Sequence, residues 1–430
     1  MREMKKTGVE WCPTIPQNWH IEKIKNYFEI SKDLSYESNP TVLKLARSGI
    51  SVKDVSTNEG QMAASYDNYN KVLPGDLLLN PMDLYSGANC NVSEIAGVIS
   101  PAYTNLRAKK MLNPKFYDYY FKTQYWSMAM FAHGKGVSYD NRWTINADGV
   151  KNYEIPIPSF EEQNNIVSAI NDALCKVDAL IANQEAQIEK LKAYKQSLIT
   201  EVVTKGLDPN VLMKDSGVDW IGCIPYKWQI ARVRNIGSTQ NGISKGGEFF
   251  GEGYPFVSYG DVYKNYQLPA QVSGLIQSTD EERERYSVVK GDIFFTRTSE
   301  TIEEVGFSSV CLQTIPDATF AGFLIRLRPF NDWMNSEYAK YYFRGDHIRR
   351  YLVKEMNLVT RASLGQDLLK SMTILLPPKT EQHEIAVYLD QKCADIERLI
   401  QIKQSKIEKL NQYKKSLIYE YVTGKKEVNC

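Results

Sequence analysis

The chain runs to 430 residues, room for two or three domains, with 43% hydrophobic and 24% charged residues, an ordinary globular balance. No apolar run approaches a bilayer span, and the charged start (Met1, Arg2, Glu3, Met4, Lys5, Lys6) has no apolar block behind it, so a cytoplasmic protein without a signal peptide is expected. Seven scattered cysteines without a C-x-x-C pair, far from the four histidines, argue against a zinc site and a disulfide framework, and a net charge of +1 implies local basic patches rather than a global basic grip.

In chain order, the first element is an opener, Thr7 to Trp19, carrying Gly8, Val9, Trp11, Ile15, Pro16 and Trp19. Then comes Val72-Leu73-Pro74-Gly75-Asp76-Leu77-Leu78, a glycine turn running into a buried strand. A helical stretch is expected over Lys115–Phe131. Pro156 and Pro158 then precede a helix that meets no proline or glycine until Gly206. The series now repeats. The opener returns 209 positions on as Gly217, Val218, Trp220, Ile224, Pro225 and Trp228. The turn returns 216 on as Val288-Val289-Lys290-Gly291-Asp292-Ile293-Phe294, followed by a helical stretch over Asp332–Val353. The helix returns 219 on, Pro377 to Thr423 matching Pro158 to Thr204 without a gap, and Gly424 ends it. Framing segments agree while the blocks between them differ, as two different ligands read by one scaffold would require.

Apolar positions in each helix alternate four and three apart. The first seam is Ile170, Leu174, Val177, Ile181, Gln184, Ile188, Leu191, Lys195 and Leu198; the second is Leu389, Cys393, Ile396, Ile400, Lys403, Ile407, Leu410, Lys414 and Leu417. This is an a/d heptad stripe with matched polar interruptions, which fix register at some cost in stability. Topology makes a packed pair antiparallel. Helices of about 35 residues are roughly 50 Å long, enough to hold two readers over successive groove turns about 34 Å apart. The expected fold is α+β: two mixed α/β recognition domains joined by two long antiparallel coiled-coil helices, with a pseudo-two-fold internal repeat. The expected boundaries are 1–155 and 207–375 for the two heads, 156–206 and 376–424 for the helices, and 425–430 for a tail.

Catalytic signatures are missing from the sequence. Gly424-Lys425-Lys426 lacks the first glycine and the hydroxyl residue of a phosphate loop, and Asn80-Pro81-Met82 and Asn113-Pro114-Lys115 lack the second proline and aromatic of an amino-methyltransferase. No serine elbow or H-E-x-x-H is present. Acid clusters such as Asp280-Glu281-Glu282 alternate with Arg283 and Arg285 as a solvated helix face does. A non-catalytic chain with no metal site is expected.

The duplicated G-V-[ED]-W…I-P…W openers, the Gly-Asp turns and the helix starts P-x-x-x-E-Q-x-x-I (Pro158 to Ile166, Pro377 to Ile385) resemble the specificity subunit of Type I restriction–modification enzymes, over essentially the whole chain. Cys12-Pro13-Thr14 departs from Ile221-Gly222-Cys223, which puts only a local turn in doubt. The resemblance implies two target-recognition domains, each reading one half of a split double-stranded DNA site, and a helix pair that sets the gap. It implies partners too: two methyltransferase subunits that use S-adenosylmethionine, and restriction/translocase subunits that use ATP and Mg, with no cofactor on this chain itself. The alternative is a two-headed adaptor of the same architecture that binds something other than DNA.

Base reading needs Arg or Lys for guanine and Asn or Gln for adenine, on positioned loops; phosphates take Lys, Arg and hydroxyls. Three regions per block supply them. The first holds Lys44, Arg47 and Ser48, against Lys245, Ser258 and Tyr259. The second follows the Gly-Asp strand: Asn80, Asp83, Tyr85 and Ser86, against Arg297, Thr298, Ser299 and Glu300. The third precedes the final strand: Lys135, Ser138, Asn141 and Arg142, against Thr360, Arg361 and Ser363. Arg142 and Arg361 correspond at the helix offset of 219.

Overall fold

The structure, a computed structural model, describes residues 2–35, 39–55, 65–82, 84, 89–136, 143–299, 305–355 and 362–428. The chain forms two compact units: residues 1–184 with 404–430, and residues 185–403.

In the first unit the opener is a small antiparallel hairpin, Met4–Lys6 with Thr14–Pro16. A four-stranded antiparallel sheet follows, in the order Phe28–Ile30, Thr104–Ala108, Leu77–Leu79, Cys90–Val92. Leu77, Leu78 and Leu79 are all fully buried, as a central strand covered on both faces demands. The helix Pro114–Trp126 supplies Phe116, Tyr117, Tyr120 and Phe121 to the core beside it. Asn113 caps this helix by accepting from the Lys115 N–H, and Pro114 opens it where no N–H is needed. Strand Glu154–Ile157 pairs antiparallel with His20–Lys23 and feeds the long helix. This unit adds the hairpin Leu43–Ala46 with Gly49–Val52, and the pair Asn70–Val72 with Gly97–Ile99.

The second unit repeats the plan. Its opener hairpin is Met213–Asp215 with Cys223–Pro225. Thr7 N–H to Pro13 O in one copy and Ser216 N–H to Gly222 O in the other, both 3.1 Å, close the two turns alike despite the different residues. Its sheet runs Gly237–Asn241, Leu324–Pro329, Ile293–Thr296, Ser308–Val310. Helix Ser336–Tyr342 is capped by Asn335, and Gln229–Arg232 pairs with Thr373–Leu376 ahead of the second long helix. A three-stranded sheet, Gly274–Ile276, Phe250–Val257, Thr319–Phe320, belongs to this unit.

The two helical stretches expected from the sequence are each broken. Lys115–Phe131 divides into Pro114–Trp126 and Ala129–Ala132, because Met128 takes a left-handed conformation (φ 62°) between them. Asp332–Val353 begins later, at Ser336, and divides around Gly345 into Ser336–Tyr342 and Asp346–Glu355.

The long helices span Phe160–Lys205 (46 residues) and Lys379–Val422 (44 residues). They exceed the expected 35 residues because their first turns, before the heptad seam starts, are docked into the heads through Ile166 and Val167, or Ile385 and Ala386. Gly206 and Gly424, both at positive φ, end them. Inside each unit the two helices run antiparallel. In the first, Asp178 pairs with Lys414, while Ile166 and Ile170 share a core with Leu417, Ile418 and Tyr421. In the second, Gln187 meets Lys403 and Lys195 meets Glu397. Every described seam residue is buried or half-buried, and the seam lysines reach polar groups on the facing helix. The architecture is α+β, with two mixed units on two repeated helices.

Candidate nucleic-acid interface

The Gly-Asp turns are structural latches, built alike in each unit. Gly75 has φ 93° and Gly291 φ 95°, a conformation that costs an L side chain. The following aspartate turns back to accept from its own loop: Leu73 N–H to Asp76 Oδ2, and Val289 N–H to Asp292 Oδ2, both 2.9 Å. Each carboxylate is buried, and an arginine on the neighbouring strand grips it with two parallel bonds. Arg107 donates to Asp76 at 2.9 and 2.8 Å; Arg328 donates to Asp292 at 2.7 and 2.7 Å. These bonds hold both guanidinium pKa values above the usual arginine range. Asn105 adds a third donor to Asp76 at 2.9 Å. Its counterpart Arg326 turns to Ser287 O and Gln240 instead, and burial pushes its pKa down to about 10.

A second matched device fixes the helix starts. Gln163 accepts from the Asn113 N–H at 2.8 Å and donates to Pro158 O. Gln382 accepts from the Asn335 N–H at 2.7 Å and donates to Pro377 O. Each glutamine ties the capping residue of a short helix to the first turn of a long one.

With latch and helix fixed, the chain leaving the central strand is aimed at one place. Five residues after the latch aspartate stand Pro81 and Arg297. Ile145 N–H donates to Pro81 O at 2.9 Å, and Leu364 N–H donates to Arg297 O at 2.7 Å. The second and third sequence regions therefore converge in both units. In the first, Leu84 N–H to Trp143 O (3.2 Å) adds to the junction. In the second, Thr298–Ser299 pairs antiparallel with Ala362–Ser363.

The first region contributes none of the backbone hydrogen bonds that close this junction. Lys44 and Arg47 are exposed on the hairpin Leu43–Ala46/Gly49–Val52, whose Gly49 lies against Asn91. Lys245 is engaged inside the unit, with Glu282 at 2.6 Å and Gln277 O at 2.8 Å. Tyr259 begins a short helix under a Ser258–Asp261 capping box and stacks on Tyr263. Asn80 is buried; its side chain accepts from Met82 N–H and its carbonyl accepts from Tyr125 OH, so it shapes the turn. Lys135 is exposed, its backbone paired with Thr144. Arg297 and Thr298 are half-buried at the junction, Ser299 continues the strand, and Ser363 is exposed opposite Thr298. Asp83, Tyr85, Ser86, Ser138, Asn141, Arg142, Glu300, Thr360 and Arg361 lie outside the described residues.

The latch arginines escaped the sequence reading. The signal was present: Arg107 and Arg328 each follow their aspartate at a similar distance, but a pairing across 31 or 36 residues has no local pattern. Among the described residues no group of three or more His, Cys, Asp or Glu could hold a metal ion.

Residues 225–412 match the family model described as the Type I restriction modification DNA specificity domain. The chain is 21% identical to the MjaVIII Type I restriction enzyme specificity subunit of Methanocaldococcus jannaschii, across 96% of this chain and 93% of that one. It is 23% identical to the EcoKI specificity subunit of Escherichia coli K12, across 78% and 69%. Among solved structures, the HsdS subunit of Thermoanaerobacter tengcongensis superposes with a TM-score of 0.53 at 17% identity, covering 97% and 99%. A chain from a structure of type I R-M complex assembly and conformational transition superposes with a TM-score of 0.66 at 17% identity, covering 95% and 98%. These two likenesses show the fold. The DNA specificity domain match falls on the second head and its helix, whose plan the first head and helix repeat, and it defines a DNA-specificity protein rather than an enzyme in its own right. Over nearly its whole length the chain is similar to specificity subunits of Type I restriction–modification enzymes.

Proposed function

We propose that residues 1–155 and 207–375 are two target-recognition domains, each reading one half of a bipartite double-stranded DNA site. The helices 156–206 and 376–424 set the gap and carry the methyltransferase subunits. The observation that carries this reading is the contrast at the junction. Latch, glutamine tie and antiparallel exit are the same in both units, yet the residues they present are different: Pro81 in one and Arg297 in the other. A scaffold kept constant while its presented side chains change is what reading two sequences requires.

Docking of a repeated partner is supported by the helices. Leu180 and Leu399 are each 47% exposed, and Tyr194 and Tyr413 are 57% and 51% exposed, although large apolar side chains usually seek cover. Each precedes a seam residue by one position. In the first unit the Asp178–Lys414 pair brings Leu180 and Tyr413 level; in the second, Lys195–Glu397 does the same for Tyr194 and Leu399. The same Leu–Tyr patch thus occurs once in each unit, which suits two copies of one partner. In this reading two methyltransferase subunits occupy the patches and supply S-adenosylmethionine, restriction/translocase subunits bring ATP and Mg, and the assembly works in the cytoplasm.

Mapping methylated bases across the genome of a host carrying this chain with its partner subunits tests the function. The expected pattern is one motif of two short specific halves separated by a fixed unspecified gap. A single uninterrupted motif, or no sequence preference, would overturn it.

A further inference from the structure

Phe323, beside the second unit's junction, is a large apolar side chain that belongs to none of the cores of the described residues. It is 65% exposed, among the highest values for any large apolar residue described. The backbone that carries it is locked. Gly322 N–H donates to Ile243 O at 2.7 Å, Ala321 N–H to Val257 O at 3.0 Å, and Leu324 N–H to Ala321 O at 2.9 Å. A Cβ on Gly322 would collide with Ser244 Oγ, so the turn has closed down onto its neighbour. The Phe323 carbonyl accepts from Arg297 N–H at 2.9 Å, while Arg297's own carbonyl takes Leu364 N–H. Arg297 is thus flanked on one side by Phe323 and on the other by the strand that carries Ser363.

Single exposed apolar residues are common and need no explanation. A phenyl ring held outward on a rigid turn, one hydrogen bond from a half-buried arginine, is a different matter. Arginine reads guanine edges; an apolar side chain beside it reads thymine methyls or wedges between base steps. Among the described residues the first unit has no large apolar side chain at the corresponding place. Five residues before its latch arginine stands Ala102, exposed, where Phe323 stands five before Arg328. Pro81, in the place of Arg297, has no N–H to tie such a turn.

We propose that Phe323 is a specificity-determining residue, making the apolar contact with bases of the half-site read by residues 207–375 and with no base of the other half. This rests on the DNA-reading function proposed above. The contact is dispersive and desolvating, so it adds discrimination without adding to the salt dependence that phosphate contacts create.

The test uses the complete methyltransferase complex carrying Phe323→Ala. Because the ring is exposed and the turn is held by backbone bonds, the thermal unfolding of the complex should be unchanged. Methylation rates are measured on duplexes altered one base pair at a time. The expected result is a roughly tenfold loss on the cognate duplex, with relaxed preference at one or two positions of one half-site. Penalties in the other half, and the salt slope of binding, should stay unchanged. On the wild-type complex, thymine-to-uracil replacement that reproduces the loss assigns a methyl contact. A 2-aminopurine signal that rises with wild type and not with Phe323→Ala assigns a wedge. Unchanged rates and preferences at every position would overturn the proposal, as would an equal loss on cognate and altered duplexes. Failure of the parent reading looks different: replacing residues 207–375 as a block would then leave both half-sites intact.

Discussion

The two heads are built on the same latch, yet they protect it differently. In the first unit Asp76 is held by Arg107 and Asn105, and Arg107 is shared with Asp33. In the second, Asp292 is fully buried and depends on Arg328, apart from one loop N–H. A buried carboxylate is tolerable only while its donors last. The scaffold is therefore repeated in design and unequal in redundancy, and the half with the less redundant latch is the one that presents Arg297, Thr298 and Phe323.

The largest expected effect separates the heads on this basis. Arg328→Met should lower stability of the second unit by about 3–5 kcal/mol, the cost of a buried charge left unpaired. Arg107→Met should cost less, because Asn105 remains on Asp76. Urea unfolding followed by hydrogen exchange resolved to each unit measures both; equal losses would break the comparison.

A smaller contrast comes with acid. His347 is fully buried beside Trp220 and Tyr342, neither ring nitrogen has a hydrogen-bond partner, and burial pushes its pKa down to about 3. Arg350 adds to that shift. In the first unit the matching place beside Trp11 and Tyr153 is taken by His133, which is exposed. Since the folded pKa of His347 lies below the unfolded value near 6.5, the unfolded chain binds the extra proton. The stability is present above pH 6.5 and is lost as pH falls toward 3. Between pH 7 and pH 5 the loss is about 2 kcal/mol. His347→Phe should flatten that part of the second unit's stability–pH curve; an unchanged curve would remove His347 as its cause.

Much of the scaffold was legible in the sequence, because repetition and heptad spacing are local signals. Gly75 and Gly291 marked the turns, and Ile170 to Leu198 marked a seam that the packing follows. What escaped was set by distant partners. Nothing near Asp76 or Asp292 announces an arginine 31 or 36 residues later, and nothing near Lys245 announces Glu282. Asn80 has the residue type of an adenine reader but folds its side chain onto Met82, because the chain leaving a buried strand must satisfy its own backbone first. Helix breaks at Met128 and Gly345 were hidden for the same reason: tertiary packing overrides an apolar pattern that alone would continue.

The central claim is that two independent readers share one scaffold. Exchanging residues 20–150 for the corresponding block of another specificity subunit, then mapping methylated bases, tests it most directly. One half of the recognised motif should change, with the other half and the gap between them preserved. A simultaneous change in both halves would contradict the account.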